Sequence, residues 1–134
     1  NYSYEPILPY LDQLDVDVVT FETADNDGAE LKAIASGIGK NKKICIGGVT
    51  HRTLQVESPH EVASLVRRAL EVIDPDRLLI SSDCGFGRQG MSRMHAFYKM
   101  VALVKGVNMV RKELSLDVAE APAALGRYDF LRKF

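Results

Sequence analysis

Short apolar runs alternate with helix-patterned stretches along most of this chain, and that alternation leaves few folds open. The runs are 16–22 (VDVVTFE), 43–49 (KICIGGV) and 77–82 (RLLISS). Helix-patterned stretches cover about 4–14, 29–36, 58–73 and 91–113, which gives the order α-β-α-β-α-β-α. Strands separated by helices pair in parallel through right-handed crossovers. The runs are almost unbrokenly apolar, as in sheets covered on both faces. Three strands are few for an open doubly wound sheet. They suit three of the βα units of a (β/α)8 TIM barrel, which takes about 250 residues in full. A chain of 134 residues holds about half of one.

Local signals fix the element ends. Ile7, Tyr10, Leu11 and Leu14 fall at helical spacing. Asp25-Asn26-Asp27-Gly28 is a turn cluster, with Asp27 the expected N-cap of the next helix, and Gly37 and Gly39 end that helix. Gly47 and Gly48 inside a strand predict a close backbone approach. Ser58 and Glu61 form a capping box with Pro59 at the first helical position. Val62, Leu65, Val66, Ala69, Leu70 and Ile73 then make one apolar stripe, which Asp74-Pro75-Asp76 stops. The last long helix is expected to bury some of Met94, Phe97, Tyr98, Val101, Val104 and Met109. Beyond Leu114 the pattern fades. Residues 1–114 therefore read as the partial barrel and 115–134 as a C-terminal tail holding at most a short helix.

Composition removes several functions. With 17 Lys+Arg against 18 Asp+Glu, the net charge of -1 argues against a nucleic-acid module. No apolar run approaches the roughly 18 residues of a membrane span, and no signal peptide opens the chain. Two cysteines, Cys45 and Cys84, make no disulfide framework, so a reducing, cytoplasmic setting is expected. The opening Asn1-Tyr2-Ser3-Tyr4 reads as the middle of something larger, or as the product of tag removal.

In parallel α/β folds the chemistry gathers beyond the carboxyl ends of the strands. Those positions carry Glu22, then Thr50-His51-Arg52, then Asp83-Cys84. A carboxylate, an imidazole and a thiol are metal ligands or acid/base groups. Each also has a plainer reading: Glu22 as a rim carboxylate paired with a Lys or Arg, His51 as a loop histidine, Cys84 as a small packed side chain. Cys45, inside a strand, is expected in the core; His60 and His95 are expected to be structural or solvent-facing. The glycine loop at 85–90 is neither GxGxxG nor a Walker sequence, and room for a tight rim loop explains it best. Asp25–Gly28 lacks the spacing of a calcium loop. Lys40-Asn41-Lys42-Lys43 reads as a solvated turn.

The segment THRTLQVESPHEVASLVRRALEVIDPDRLLISSDCGFG, from Thr50 to Gly87, resembles the C-terminal catalytic barrel of cobalamin-independent methionine synthases and their short homologues. VDVVTFET, ending Glu22-Thr23, resembles that family's strand ending in a zinc-binding Glu. The likeness covers about residues 1–114 and implies the C-terminal part of a TIM barrel. It implies Glu22 and Cys84 as the last two zinc ligands and His51 as proton donor to the methyl carrier. The other two ligands, a His-x-Cys pair, would lie a few residues before Asn1, so the zinc site is expected to be incomplete in this chain. It implies methyl transfer from 5-methyltetrahydrofolate to the thiol of homocysteine, with the isolated chain inactive. The alternatives are another zinc-thiolate alkylation, such as epoxide opening by a coenzyme thiol, and an inert half-barrel that self-associates through its open edges.

Overall fold

A computed structural model describes residues 3–87 and 90–128. A 3-10 turn (Glu5–Ile7) leads into α1 (Leu8–Asp12). Then follow β1 (Val18–Phe21), α2 (Leu31–Gly37), β2 (Lys43–Val49), α3 (Pro59–Leu70), β3 (Leu78–Ser82) and α4 (Arg93–Glu113). A second 3-10 turn spans Pro122–Ala124. The three strands form one open sheet in the order β1-β2-β3, and both pairings are parallel. The α/β class and parallel pairing expected from the alternation are what the chain adopts. Among the described residues no helix is long and apolar enough to cross a membrane.

The register sorts the strand residues onto two faces. Val19 pairs with Ile44 and Phe21 with Ile46; Ile44 pairs with Leu78 and Ile46 with Ile80. This face carries the core, packed with Leu31, Ile34, Leu65 and Ala69 near β1, and with Val62, Val66 and Leu103 near β3. Phe21 is 1% exposed, and the Tyr4 ring meets it edge-on at 5.1 Å. Side chains alternate between faces with period 2, so Val18, Thr20 and Leu79 point the other way, and all three are exposed. Coverage on both faces, expected from the apolar runs, is therefore not found: helices cover one face. Only β2, between two strands, is buried along nearly its whole length, from Ile44 to Val49.

Several boundaries move. The first helix is a 3-10 turn plus five α-residues rather than a helix over 4–14. Asp27 is not the N-cap of α2: its φ is 52°, its carboxylate pairs with Arg68, and the helix starts later, behind Glu30. The α3 capping box is present in both directions, with Ser58 N–H donating to Glu61 Oε2 at 2.7 Å. Helix α4 has an unforeseen box of its own, Ser92 with His95. Its buried stripe is Lys99, Ala102, Leu103, Gly106 and Val110, joined by Val101 and Asn108, while Met94 is 62% exposed. Lys42, within the supposedly solvated turn, is buried.

The segment after Leu114 folds back along α4. Asn108 Nδ2 donates to the Ala119 carbonyl at 3.1 Å, and Ala119 N–H donates to Asn108 Oδ1 at 2.8 Å. Tyr128 packs edge-on against Phe97 at 5.0 Å. Residues 129–134 of the expected tail lie outside the described residues, as do Arg88 and Gln89 of the glycine loop.

Helices α3 and α4 cross closely at Gly106. A Cβ there would stand 2.6 Å from the Pro59 carbonyl oxygen and 2.6 Å from Val62 Cβ. Gly106→Ala gains about 1 kcal/mol of helix propensity but overpacks the crossing by about 1–3 kcal/mol. A net destabilisation is expected, visible as a lower urea midpoint. A variant more stable than the parent would refute the close crossing.

Candidate metal centre

Glu22 is the first residue past β1; His51 and Cys84 each stand two residues past the ends of β2 and β3. Parallel strands deliver all three to one edge of the sheet. One donor atom from each lies within 4.8 Å of the other two. Glu22 is half-buried, His51 is 6% exposed, and Cys84 is exposed. The plainer reading of Cys84 as a packed side chain therefore does not describe it.

Asp83 holds the strand ends in place. Its Oδ1 accepts from the N–H groups of Thr23 at 2.8 Å and Ala24 at 2.9 Å, and its Oδ2 from Asp25 at 2.9 Å. Its own N–H donates to the Val49 carbonyl at 2.9 Å. The loop after β1, the end of β2 and the start of the Cys84 turn are thus tied through one buried residue. Burial pushes the Asp83 carboxyl above the ordinary range, and the three backbone N–H bonds pull it back. The carboxylate passes directly over Gly47, where a Cβ would stand 1.8 Å from Oδ1. Beside it, a Cβ on Gly48 would meet Leu103 Cδ1 at 2.8 Å. The close approach predicted for this glycine pair is found at both positions.

Glu22 has a second partner. Arg52 reaches it at 3.2 Å and Asp25 at 3.1 Å. The Glu22 hydrogen bond, then the charge of Asp25, hold the Arg52 guanidinium above its ordinary pKa. The plainer reading of Glu22, a rim carboxylate paired with an arginine, is thus true of it. His51 Nδ1 is buried and has no hydrogen-bond partner. A His51 ring nitrogen within 4.8 Å of a carboxylate oxygen and a thiol sulfur fits a cation: oxygen, nitrogen and sulfur donors together are the set zinc takes.

The loop carrying His51 is anchored by residues that sequence reasoning missed. Glu57 Oε1 accepts from Thr50 N–H at 2.8 Å, and Glu57 Oε2 pairs at 2.8 Å with Lys99 Nζ. Lys99 is fully buried on α4 and also donates to the Gln55 carbonyl at 2.5 Å. The available signal was a lysine falling at i, i+3, i+4, i+7 and i+11 with Ala102, Leu103, Gly106 and Val110.

The remaining candidates lie elsewhere. Cys45 is buried in β2, as expected, and His60 is exposed. His95 Nδ1 sits 2.8 Å from Ser92 Oγ in the α4 cap. Gly85 and Gly87 have open space where a Cβ would go, so crowding does not explain them; Gly90, at φ 88°, needs the left-handed region.

An open parallel α/β sheet with oxygen, nitrogen and sulfur donors at the carboxyl ends of its strands defines the class: an α/β protein with a candidate metal centre on its strand-end rim. Comparison with known proteins narrows it. Residues 2–106 match the family model described as "Cobalamin-independent synthase, Catalytic domain", and the chain belongs to that family. It is 34% identical over 115 residues to a methionine synthase of Thermococcus kodakarensis, covering 86% of this chain and 33% of that protein. To a methionine synthase of Saccharolobus solfataricus it is 32% identical over 114 residues, covering 85% and 33%. It superposes on the structure of a B12-independent methionine synthase from a Shewanella species, solved with selenomethionine, with a TM-score of 0.67 and 28% identity. That match covers 84% of this chain and 31% of the other. The chain spans about a third of the length of these relatives.

Proposed function

We propose that residues 1–114 are the C-terminal part of a (β/α)8 barrel that transfers a methyl group from methyltetrahydrofolate to the thiol of homocysteine, with 115–134 a C-terminal tail whose described part, 115–128, packs on α4. The observation that carries this reading is the meeting of Glu22, His51 and Cys84 donors within 4.8 Å. Family membership supports it, as does the one-sided sheet, whose open face would line the barrel interior.

In this reading Glu22 and Cys84 are two of the residues that would hold zinc. Zinc, when bound, keeps a substrate thiol in its thiolate form at neutral pH while leaving it nucleophilic. His51 delivers a proton to the tertiary nitrogen that carries the methyl group, and imidazole suits that task because its ordinary pKa is about 6.5. The sulfur–carbon bond forms as the nitrogen–carbon bond breaks. The proton from His51 ends on that nitrogen, and the thiol's proton has already left to solvent. Asp83 keeps Glu22 and Cys84 at one place throughout.

The test is zinc content and turnover in a full-length relative carrying the matching residues. The change matching Cys84→Ser is expected to weaken zinc binding by more than the about 10- to 100-fold seen when a residue behind a ligand is lost. Unchanged metal content sinks Cys84 as a ligand. The change matching His51→Asn is expected to keep zinc and lose about 100-fold or more in turnover. Loss of zinc instead makes His51 a third ligand, the role its unpartnered Nδ1 would also suit.

A further inference from the structure

The buried Lys99–Glu57 pair lies outside the donor cluster, yet its other hydrogen bonds go to the loop that presents His51. We infer that Lys99 and Glu57 are positioning residues for His51, acting through the backbone of Thr50. The inference rests on the reading of His51 as a working group of the site.

The connections run in one direction. Lys99 is 0% exposed, on a helix whose neighbouring buried positions pack against α3. Its ammonium has two partners, the Glu57 carboxylate and the Gln55 carbonyl. Glu57 spends its second oxygen on the N–H of Thr50, the residue before His51. One carboxylate therefore closes the loop from residue 57 back to residue 50, and one lysine fixes that closure to α4. Thr50 carries the tie further: its Oγ1 accepts from Arg52 N–H at 3.1 Å, on the other side of His51. His51 itself sits between these fixed points with a ring nitrogen that has no partner of its own. Its place is set by its backbone.

A charge pair is an unexpected device here. An apolar side chain at position 99 would fill the same stripe without desolvating an ammonium, and buried ion pairs seldom add stability over such a replacement. What the pair supplies that a leucine could not is direction: one geometry in which Gln55, Glu57 and Thr50 are all satisfied. Register-setting is the best-attested role of such pairs.

The test is amide hydrogen exchange on the chain, with the ring signals of His51 followed by NMR. Lys99→Met is expected to lower protection of the Thr50 amide by about 10- to 100-fold, the worth of a hydrogen bond to a charged acceptor, to lower that of the Arg52 amide, whose acceptor is the Thr50 hydroxyl, by less, and to move the His51 ring signals. The Thr23 and Ala24 amides, held by Asp83, and the strand amides of β1 and β2 are expected to keep their protection. Lys99→Arg, which retains the charge, is expected to keep most of the protection and the His51 signals. If Lys99→Met does not fold, the double variant Lys99→Met/Glu57→Gln removes both charges and carries the same readout. Unchanged Thr50 protection and His51 signals in a folded variant overturn the inference. So does an equal loss across all core amides, which marks a general stability effect. None of these readouts needs zinc or substrate, so failure of zinc binding in the relative, with the amide pattern intact, counts against the proposed function alone.

Discussion

Asp83→Ala is expected to lower the stability of the chain by about 3–5 kcal/mol, from three N–H groups at about 1–3 kcal/mol each, with entering water recovering part of the loss. The groups are those of Thr23, Ala24 and Asp25, which have the Asp83 carboxylate as acceptor. Against a typical total of about 5–15 kcal/mol, that is a large share. Asp83→Asn is expected to cost less. Its remaining oxygen still accepts from Thr23 and Ala24, while its amide nitrogen turns a donor toward the Asp25 N–H. Urea unfolding of the two variants measures both. A loss under about 1 kcal/mol for the alanine variant would show that the strand ends hold together without this carboxylate.

Gly47→Ala is expected to be nearly as damaging, at about 3 kcal/mol or somewhat more, because it overpacks and displaces the same carboxylate. The new Cβ would stand 1.8 Å from Asp83 Oδ1 and 2.7 Å from Asp83 Cα. The first collision disappears when residue 83 is alanine; the second stays. Gly47→Ala should therefore cost less in the Asp83→Ala background than in the parent. A double-mutant cycle reads the difference, and coupling below about 0.5 kcal/mol, the ordinary scatter of independent sites, would separate the two residues. Neither change alters a donor atom, yet both are expected to loosen the site, since Glu22 follows the loop that Asp83 holds.

Much of this architecture was legible because it rests on short-range rules. The alternation gave the parallel sheet; Ser58, Pro59 and Glu61 gave the start of α3; the glycine pair at 47 and 48 announced crowding before any neighbour was known. The strand-end rule selected Glu22, His51 and Cys84, since parallel strands carry their carboxyl ends to one rim whatever the loops do. What stayed hidden depends on partners far apart in the chain. Asp83 reads as one letter of a motif until residues 23–25 fold across to it. Lys99 reads as the polar side of a helix until the stripe is phased on Gly106 and Val110 rather than on Phe97 and Met109. Asp27 reads as a helix cap, but its backbone took the left-handed turn and its charge went to Arg68. The apolar runs suggested two covered faces because hydrophobicity records burial, not what does the burying.

The three donor-bearing residues stand just past the ends of three separate strands, whose alignment is set by the ladders between them and by the Asp83 ties. A slip of β3 by one residue would carry Cys84 about 3.3 Å along the sheet and swing the side chains of that strand to the opposite surface. An ion held by Glu22 and Cys84 with His51 beside it would need both ladders correctly aligned. Metal capture would then act as a proofreader of strand alignment, adding to the core's own preference for the pairing in which the donors meet.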